Sequence, residues 1–262
     1  MLDSFWFWPF WSGLGSAVLL GLAGASLFLR SASLQGLVVS QSAAAGGILA
    51  SALVLPVLPG AMLLAGLVYW HVQYAKRLKP ERILLFFLLC GASVNALLAN
   101  MTHLHAAAER WLSGDIYYIS RDDALWLLLL IAATFALYPR LHRVWLQSQL
   151  APDIVGPRLS VWQRMPEAIW LLSVLVLSSY LLGTPAAVFM LLLPPWLAAY
   201  WSKCFRSFLI LSVLICSLIY LLAWHVALWL DQPFAPLLIL GGSLLGAVAY
   251  GIRKLCSGGR RR

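Results

Sequence analysis

The residues of this chain best suited to chemistry are its five histidines, His71, His103, His105, His142 and His225. Imidazole is a common ligand for zinc and other transition metals. His103 and His105 fall at the end of one long apolar run and His225 near the end of another, with Asp115 in the polar stretch that follows the first. His103, His105 and Asp115 therefore form a candidate metal-receiving set. Ordinary hydrogen-bonded histidines at a membrane interface would explain the same positions, and spacing does not choose between the two readings. Gln41 is a polar side chain inside an apolar stretch, where such groups are costly and serve either as helix–helix hydrogen bonds or as functional groups.

Other chemistries lack their residues. The sequence contains no G-x-x-x-x-G-K-[ST], so ATP is not expected to bind here through a phosphate loop, and no H-E-x-x-H or G-x-S-x-G. No apolar run holds the paired carboxylates of an intramembrane protease or a proton relay. Of Cys90, Cys204, Cys216 and Cys256, two lie inside apolar runs and two at the edges of such runs. There is no C-x-x-C, so neither a disulfide framework nor a zinc knuckle is expected. No catalytic residue and no cofactor-binding motif is identified.

The elements that must position these residues follow from composition. Apolar residues make up 62% of the 262 and charged residues 10%, against roughly 45–50% and about 25% in an average soluble domain. So few charges cannot cover a water-exposed surface of this size. The chain reads as one all-α, polytopic transmembrane domain over residues 1–262, the lipid bilayer being its solvent. The excess of basic residues, 18 against 9 acids, is what basic cytoplasmic loops produce and does not call for a nucleic-acid partner.

A spanning helix needs about 20 apolar residues. Runs of that kind occur at about 12–29, 34–52, 57–75, 83–102, 123–139, 167–183, 185–202, 207–229 and 234–252, which gives eight or nine spans. The second and third are separated only by a short Pro/Gly turn at Pro56–Gly60. With the N-terminus outside and the C-terminus inside, 16 of the 18 Lys and Arg face the cytoplasm, and only Arg110 and Arg121 face out. The N-terminal stretch Phe5-Trp6-Phe7-Trp8-Pro9-Phe10-Trp11 lacks the basic leader of a signal peptide and reads as an interfacial aromatic segment. An outer loop is expected at about 103–122 and an inner one at about 140–166, followed at the end by a basic cytoplasmic tail, 253–262. The inner loop is basic, partly apolar and broken by Pro and Gly, which suits a short surface helix that docks on a cytoplasmic partner or lies at the interface. Small residues cluster at Ser40–Gly47 and at Gly241-Gly242-Ser243 with Gly246, where helices can approach closely.

An ordered set of segments resembles the permease subunit of ABC importers for zinc, manganese and iron. In that family a basic residue ends the first span and leads into a Gly-Asp-x-x-Ser-His segment. Leu29-Arg30-Ser31-Ala32-Ser33-Leu34-Gln35-Gly36-Leu37-Val38-Val39-Ser40-Gln41 follows the frame, with Gly36, Ser40 and, further on, Gly46 matching. The outer Gly114-Asp115-Ile116-Tyr117-Tyr118-Ile119-Ser120 is similar to the family's Gly-Asp-Ile-Leu-Ala-Val-Ser. Leu193-Pro194-Pro195-Trp196-Leu197-Ala198 resembles its Leu-Pro-Ala-Ala-Thr-Ala, and Asp231-Gln232-Pro233-Phe234-Ala235-Pro236 its Asp-x-Pro-x-x-Pro.

The resemblance implies a multi-pass protein of the bacterial inner membrane that forms a homodimer. It implies an ABC ATPase subunit below, an extracytoplasmic solute-binding protein above, and ATP hydrolysis on the partner. It places Leu37 and Gln41 on the translocation path, where the family carries the Asp and His of a metal gate, and makes Asp153 and Arg158 candidates for ATPase coupling. The departures are that Leu37 and Gln41 offer a transition metal only one weak neutral oxygen, and that Leu159 stands where the coupling helix usually has Gly. A metal complex or a non-metal solute as substrate, or a polytopic scaffold or assembly factor without transport, are the alternatives these departures leave open.

Overall fold

The computed structural model describes residues 4–30, 32–75, 80–114, 116–149 and 161–258. They form ten α-helices: α1 (Ser4–Leu29), α2 (Ser33–Ala52), α3 (Val57–Ala75), α4 (Pro80–Ala99), α5 (His105–Ser113), α6 (Arg121–Gln149), α7 (Val161–Leu182), α8 (Thr184–Trp201), α9 (Phe205–Leu230) and α10 (Phe234–Gly258). A single 3-10 turn, Ile116–Tyr118, lies between α5 and α6, and no strand occurs among the described residues. The nine expected spans fall on the nine long helices. Seven of these are long and apolar enough to cross a membrane. The other two are α2, rich in Ser, Ala and Gly, and α3, whose apolar stretch Val57–Gln73 is shorter.

The chain runs back and forth, so the helix ends gather on two sides. Arg30 at the end of α1, Trp145 near the end of α6 and Glu167 near the start of α7 meet on one side. His142 of α6 meets Phe205 of α9 there, and Trp196 of α8 stacks on Tyr250 of α10. This is the basic end. At the opposite end, Trp6 of α1, Tyr117 of the 3-10 turn, Trp224 of α9 and Phe234 of α10 form one aromatic cluster.

Helix α1 is the central post, with Ala17, Leu19, Leu20, Ala23, Ala25 and Leu27 all buried. It packs on α6, α7, α8 and α9. Helix α2 buries its small residues from Ser42 to Gly47. A methyl group on Gly46 would stand 2.8 Å from the Gly60 carbonyl oxygen of α3, so the missing side chain is what lets the two backbones meet. The outward faces of α3, α4, α6, α9 and α10 expose Leu63, Leu89, Phe135, Trp229 and Leu244. A bilayer accepts such a surface and water does not.

Five segments differ from the expectation. Helix α6 runs on to Gln149 through Pro139, so residues 140–149 are helix rather than loop. Proline removes one backbone bond but the helix resumes, because Leu141 and Trp145 beyond it are fully buried. Helix α7 starts at Val161, which leaves only 150–160 of the expected inner loop, and these lie outside the described residues. The N-terminal aromatic segment is the first turns of α1 itself, and the basic tail begins as the last turns of α10. The outer loop is not open chain either, since it carries α5 with Ala108 and Trp111 turned inward.

Candidate translocation path and basic-end cluster

Leu37 and Gln41 lie one turn apart on α2, both half-buried. Gln41 is held against α4. The Asn95 side-chain amide donates to Gln41 Oε1 at 2.8 Å and to the Gln41 main-chain oxygen at 3.1 Å. A Cβ on Gly91, one turn below Asn95, would stand 3.2 Å from the Gln41 Cβ. Asn95 is buried, and its Oδ1 has no hydrogen-bond partner among the described residues. The Ser40 hydroxyl, also buried, has none either. Gly36 packs against Leu27 of α1 and Leu191 of α8, which fixes the rotation of α2 that leaves Leu37 and Gln41 half-exposed.

Two of the three outer candidates, His103 and His105, lie in the described residues. His103 is exposed in the turn before α5. His105 opens α5, with Nδ1 at 3.1 Å from the Ala99 oxygen, and is exposed. His225 contacts the Leu221 oxygen of its own helix at 2.7 Å. Asp115 lies outside the described residues, and within those described no three His, Cys, Asp or Glu side chains come together as a metal-binding group. His71 bonds the preceding turn of α3, and His142 packs on Tyr138 and Phe205. Asp153 and Arg158 also lie outside the described residues.

At the end that carries His103 and His105, contacts join α5, α6 and α7. Ser120 caps α6: its hydroxyl accepts the Asp123 N–H at 3.1 Å, while Asp123 Oδ2 accepts the Ser120 N–H at 3.2 Å. Asp123 also meets Arg110 of α5 at 3.5 Å, and the Arg110 guanidinium sits 4.5 Å from the Tyr180 ring centre of α7. Gly114 and Gly183 both have positive φ, 76° and 85°. A Cβ on Gly183 would lie 2.7 Å from the Gly114 nitrogen, so the α5 exit and the α7–α8 turn touch backbone to backbone.

Sequence reasoning overlooked the polar cluster at the basic end. Glu167 of α7 is 3% exposed, and its Oε1 pairs with Arg30 Nη2. The same oxygen accepts the Trp145 indole N–H of α6 at 2.8 Å. Trp170, one turn along α7, donates to Thr134 Oγ1 of α6, also at 2.8 Å. Beside them, Gln73 of α3 donates to Gln35 of α2 at 3.4 Å, and Gln73 also bonds Tyr69. Burial pushes the Arg30 guanidinium down to about 10, which leaves it charged at neutral pH. The available signal was an acid at the very start of an apolar run, three residues beyond Arg164. Charged groups within spans are rare and almost always paired.

No family model and no curated protein matches the sequence. Solved structures do match. PsaBC from Streptococcus pneumoniae, solved in complex with Fab, superposes with a TM-score of 0.79 at 18% identity, over 94% of this chain and 91% of that one. A transporter described as of the metal-chelate ABC type, in an inward-facing conformation, aligns with a TM-score of 0.54 at 21% identity, over 90% of this chain and 86% of that one. The chain shares its fold with these two structures. Within that fold, α2 buries most of its length, with Leu37 and Gln41 on it and Asn95 bonded against it.

Proposed function

We propose that the chain is the membrane-spanning permease subunit of an ATP-driven ABC importer, carrying a divalent transition-metal ion (zinc, manganese or iron) or a complex of one. The observation that carries this reading is the agreement of fold with PsaBC over nine-tenths of both chains. The ordered motifs from Arg30 to Pro236 support it. In this reading two copies of the chain pair in the bacterial inner membrane, with the N-terminus outside. An ABC ATPase binds on the basic side, near Asp153 and Arg158, and hydrolyses ATP. A solute-binding protein delivers substrate to the opposite side, near His103, His105 and Asp115. Leu37 and Gln41 face the path. The chain itself has no catalytic role.

A second reading, a polytopic scaffold without transport, draws support from Leu37 and Gln41, which cannot ligate a metal as Asp and His do, and from the engagement of Gln41 by Asn95. One experiment separates the two. The chain is co-expressed with its candidate ATPase, purified, and reconstituted in proteoliposomes with radiolabelled manganese or zinc. ATP-dependent accumulation supports the permease. A stable complex that hydrolyses ATP but moves neither metal supports transport of another solute, and no association with an ATPase supports the scaffold. In the first case, replacing His103, His105 and Asp115 together by Ala lowers uptake without preventing membrane insertion.

A further inference from the structure

We infer that Arg30 and Glu167 are positioning residues which make α2 move with the roots of α6 and α7, and so link the ATPase-facing side of the protein to its path. This rests on the permease reading above. Three observations lead to it.

The first is connectivity. Trp145 lies four residues before the end of α6 and Glu167 six after the start of α7. These two helices flank the 150–160 segment, the expected ATPase contact. Arg30 sits in the short corner between α1 and α2. That corner is tight: the Arg30 and Ala32 N–H groups both return to the Leu27 oxygen, at 3.2 and 2.9 Å, and the Gln35 N–H bonds the Ala32 oxygen at 2.9 Å. A displacement of Arg30 therefore moves the start of α2 directly. Leu37 and Gln41 follow on the same helix, the latter about 12 Å from its start at 1.5 Å per residue.

The second is fastening. The last ten residues of α6 follow Pro139, where a backbone bond is missing and a helix can bend. Two indole bonds tie α6 to α7 on either side of that proline, Trp170 to Thr134 before it and Trp145 to Glu167 after it. Only the second also reaches the ion pair. The part of α6 nearest the ATPase is thus joined through one carboxylate oxygen to both α7 and the α1–α2 corner.

The third is chemistry. A buried ion pair is poor glue, because taking both charges out of water offsets most of their attraction and an apolar pair packs as well. Separating this pair is different: Glu167 is 3% exposed, so its carboxylate left alone in a low-dielectric surround is strongly disfavoured, while half-buried Arg30 has its partner there. Such a pair resists partial separation, so the elements it joins move as one body. The polar contact of α2 with α3 nearby is a neutral amide pair, Gln35 with Gln73 at 3.4 Å, a hydrogen bond that can exchange partners with little penalty.

The test uses the full complex of chain and ATPase in proteoliposomes, reading metal uptake and ATP hydrolysis together. Glu167→Gln keeps an acceptor for Trp145 but removes the charge, and the double variant Arg30→Gln with Glu167→Gln leaves no unpaired charge. The expected result is that the double variant assembles and hydrolyses ATP within about twofold of the parent, while uptake per ATP falls about tenfold, the range of a typical coupling between sites. Arg30→Lys, which keeps the ion pair, retains most of the uptake per ATP. An unchanged ratio in the double variant overturns the inference and leaves the permease reading intact. Failure of both the single and double variants to assemble assigns the pair to folding and also overturns it. A parent complex without ATP-driven uptake overturns the permease reading itself, and the inference with it.

Discussion

Asn95 of α4 donates one amide group to two acceptors of Gln41 on α2, the side-chain oxygen at 2.8 Å and the main-chain oxygen at 3.1 Å. Helix α4 otherwise presents mostly exposed apolar residues, among them Leu85, Phe86, Leu89 and Leu97. This polar clasp is therefore a specific anchor for α4 among contacts that lipid could replace. Side-chain hydrogen bonds between membrane helices contribute on average about 0.6 kcal/mol and at most about 1.7. Asn95→Leu is expected to destabilise the protein by about 1 kcal/mol, read as a lowered unfolding midpoint in detergent. In a double-mutant cycle with Gln41→Leu the two losses should not add, because both remove the same side-chain bond. Full additivity would mean that the clasp is not an energetic unit.

The capping box at the start of α6 gives a second expectation. Ser120 and Asp123 satisfy each other's backbone N–H groups at an exposed helix start, with the serine hydroxyl also 2.8 Å from Asp123 Oδ2. Ser120→Ala should cost about 1 kcal/mol, the usual value of an N-cap. Arg110→Ala should cost less. Its 3.5 Å contact with Asp123 is partly exposed, and exposed ion pairs contribute at most about 1 kcal/mol. The two variants compared by thermal unfolding decide whether α5 and α6 are joined mainly by the cap or by charge.

Gly183 supplies a third. Its φ is 85°, and an added Cβ would lie 2.7 Å from the Gly114 nitrogen and 2.9 Å from the Ser113 carbonyl carbon. Both the backbone conformation and the space exclude a side chain. Gly183→Ala should cost about 2 kcal/mol or more, through strain and displacement of the α5 exit. Gly241→Ala, on an open face with nothing within 4 Å, should be neutral or slightly stabilising, since alanine favours helix. Expression level and melting midpoint of the two variants give the comparison. Equal behaviour would rule out the tight backbone contact.

The helices were legible because a bilayer sets their length and composition, which is why apolar runs such as 207–229 lie inside α9 almost to the residue. Their ends were less so. Pro139 looks like a stop, yet α6 passes through it because Leu141 and Trp145 find buried sites beyond it, and such sites are made by other helices, not by local sequence. The partners of polar groups were not legible at all. Gln41 and Asn95 are 54 positions apart, and each alone reads as a lone polar residue in an apolar run. Glu167 and Arg30 lie at the edges of two different spans, where a charge ordinarily faces headgroups. Only the assembled bundle turns the carboxylate inward. The histidines show the converse: shared location at one end of the spans placed His103, His105 and His225 together, but convergence depends on helix rotation, which periodicity in an all-apolar helix does not report.

The last prediction concerns Leu37 and Gln41. They stand one turn apart and half-buried on α2, so side chains at both positions point the same way along the helix. A carboxylate and an imidazole at that spacing could share one divalent cation, whereas leucine and an amide already bonded to Asn95 could not. In the double variant Leu37→Asp with Gln41→His, Asn95 keeps one of its two acceptors, since the main-chain oxygen of residue 41 remains, so α4 should stay docked. The purified variant is expected to bind Zn²⁺ or Mn²⁺ more tightly than the parent by about tenfold or more, equivalent to about 1.4 kcal/mol. Two ligands added to one helix face lower the energy of the bound ion without touching the rest of the bundle. In reconstituted complexes a tighter site holds its ion longer, so uptake of the same metal should slow. Unchanged binding and unchanged uptake together would mean that these two positions do not line the path, and would remove the strongest link between α2 and the substrate.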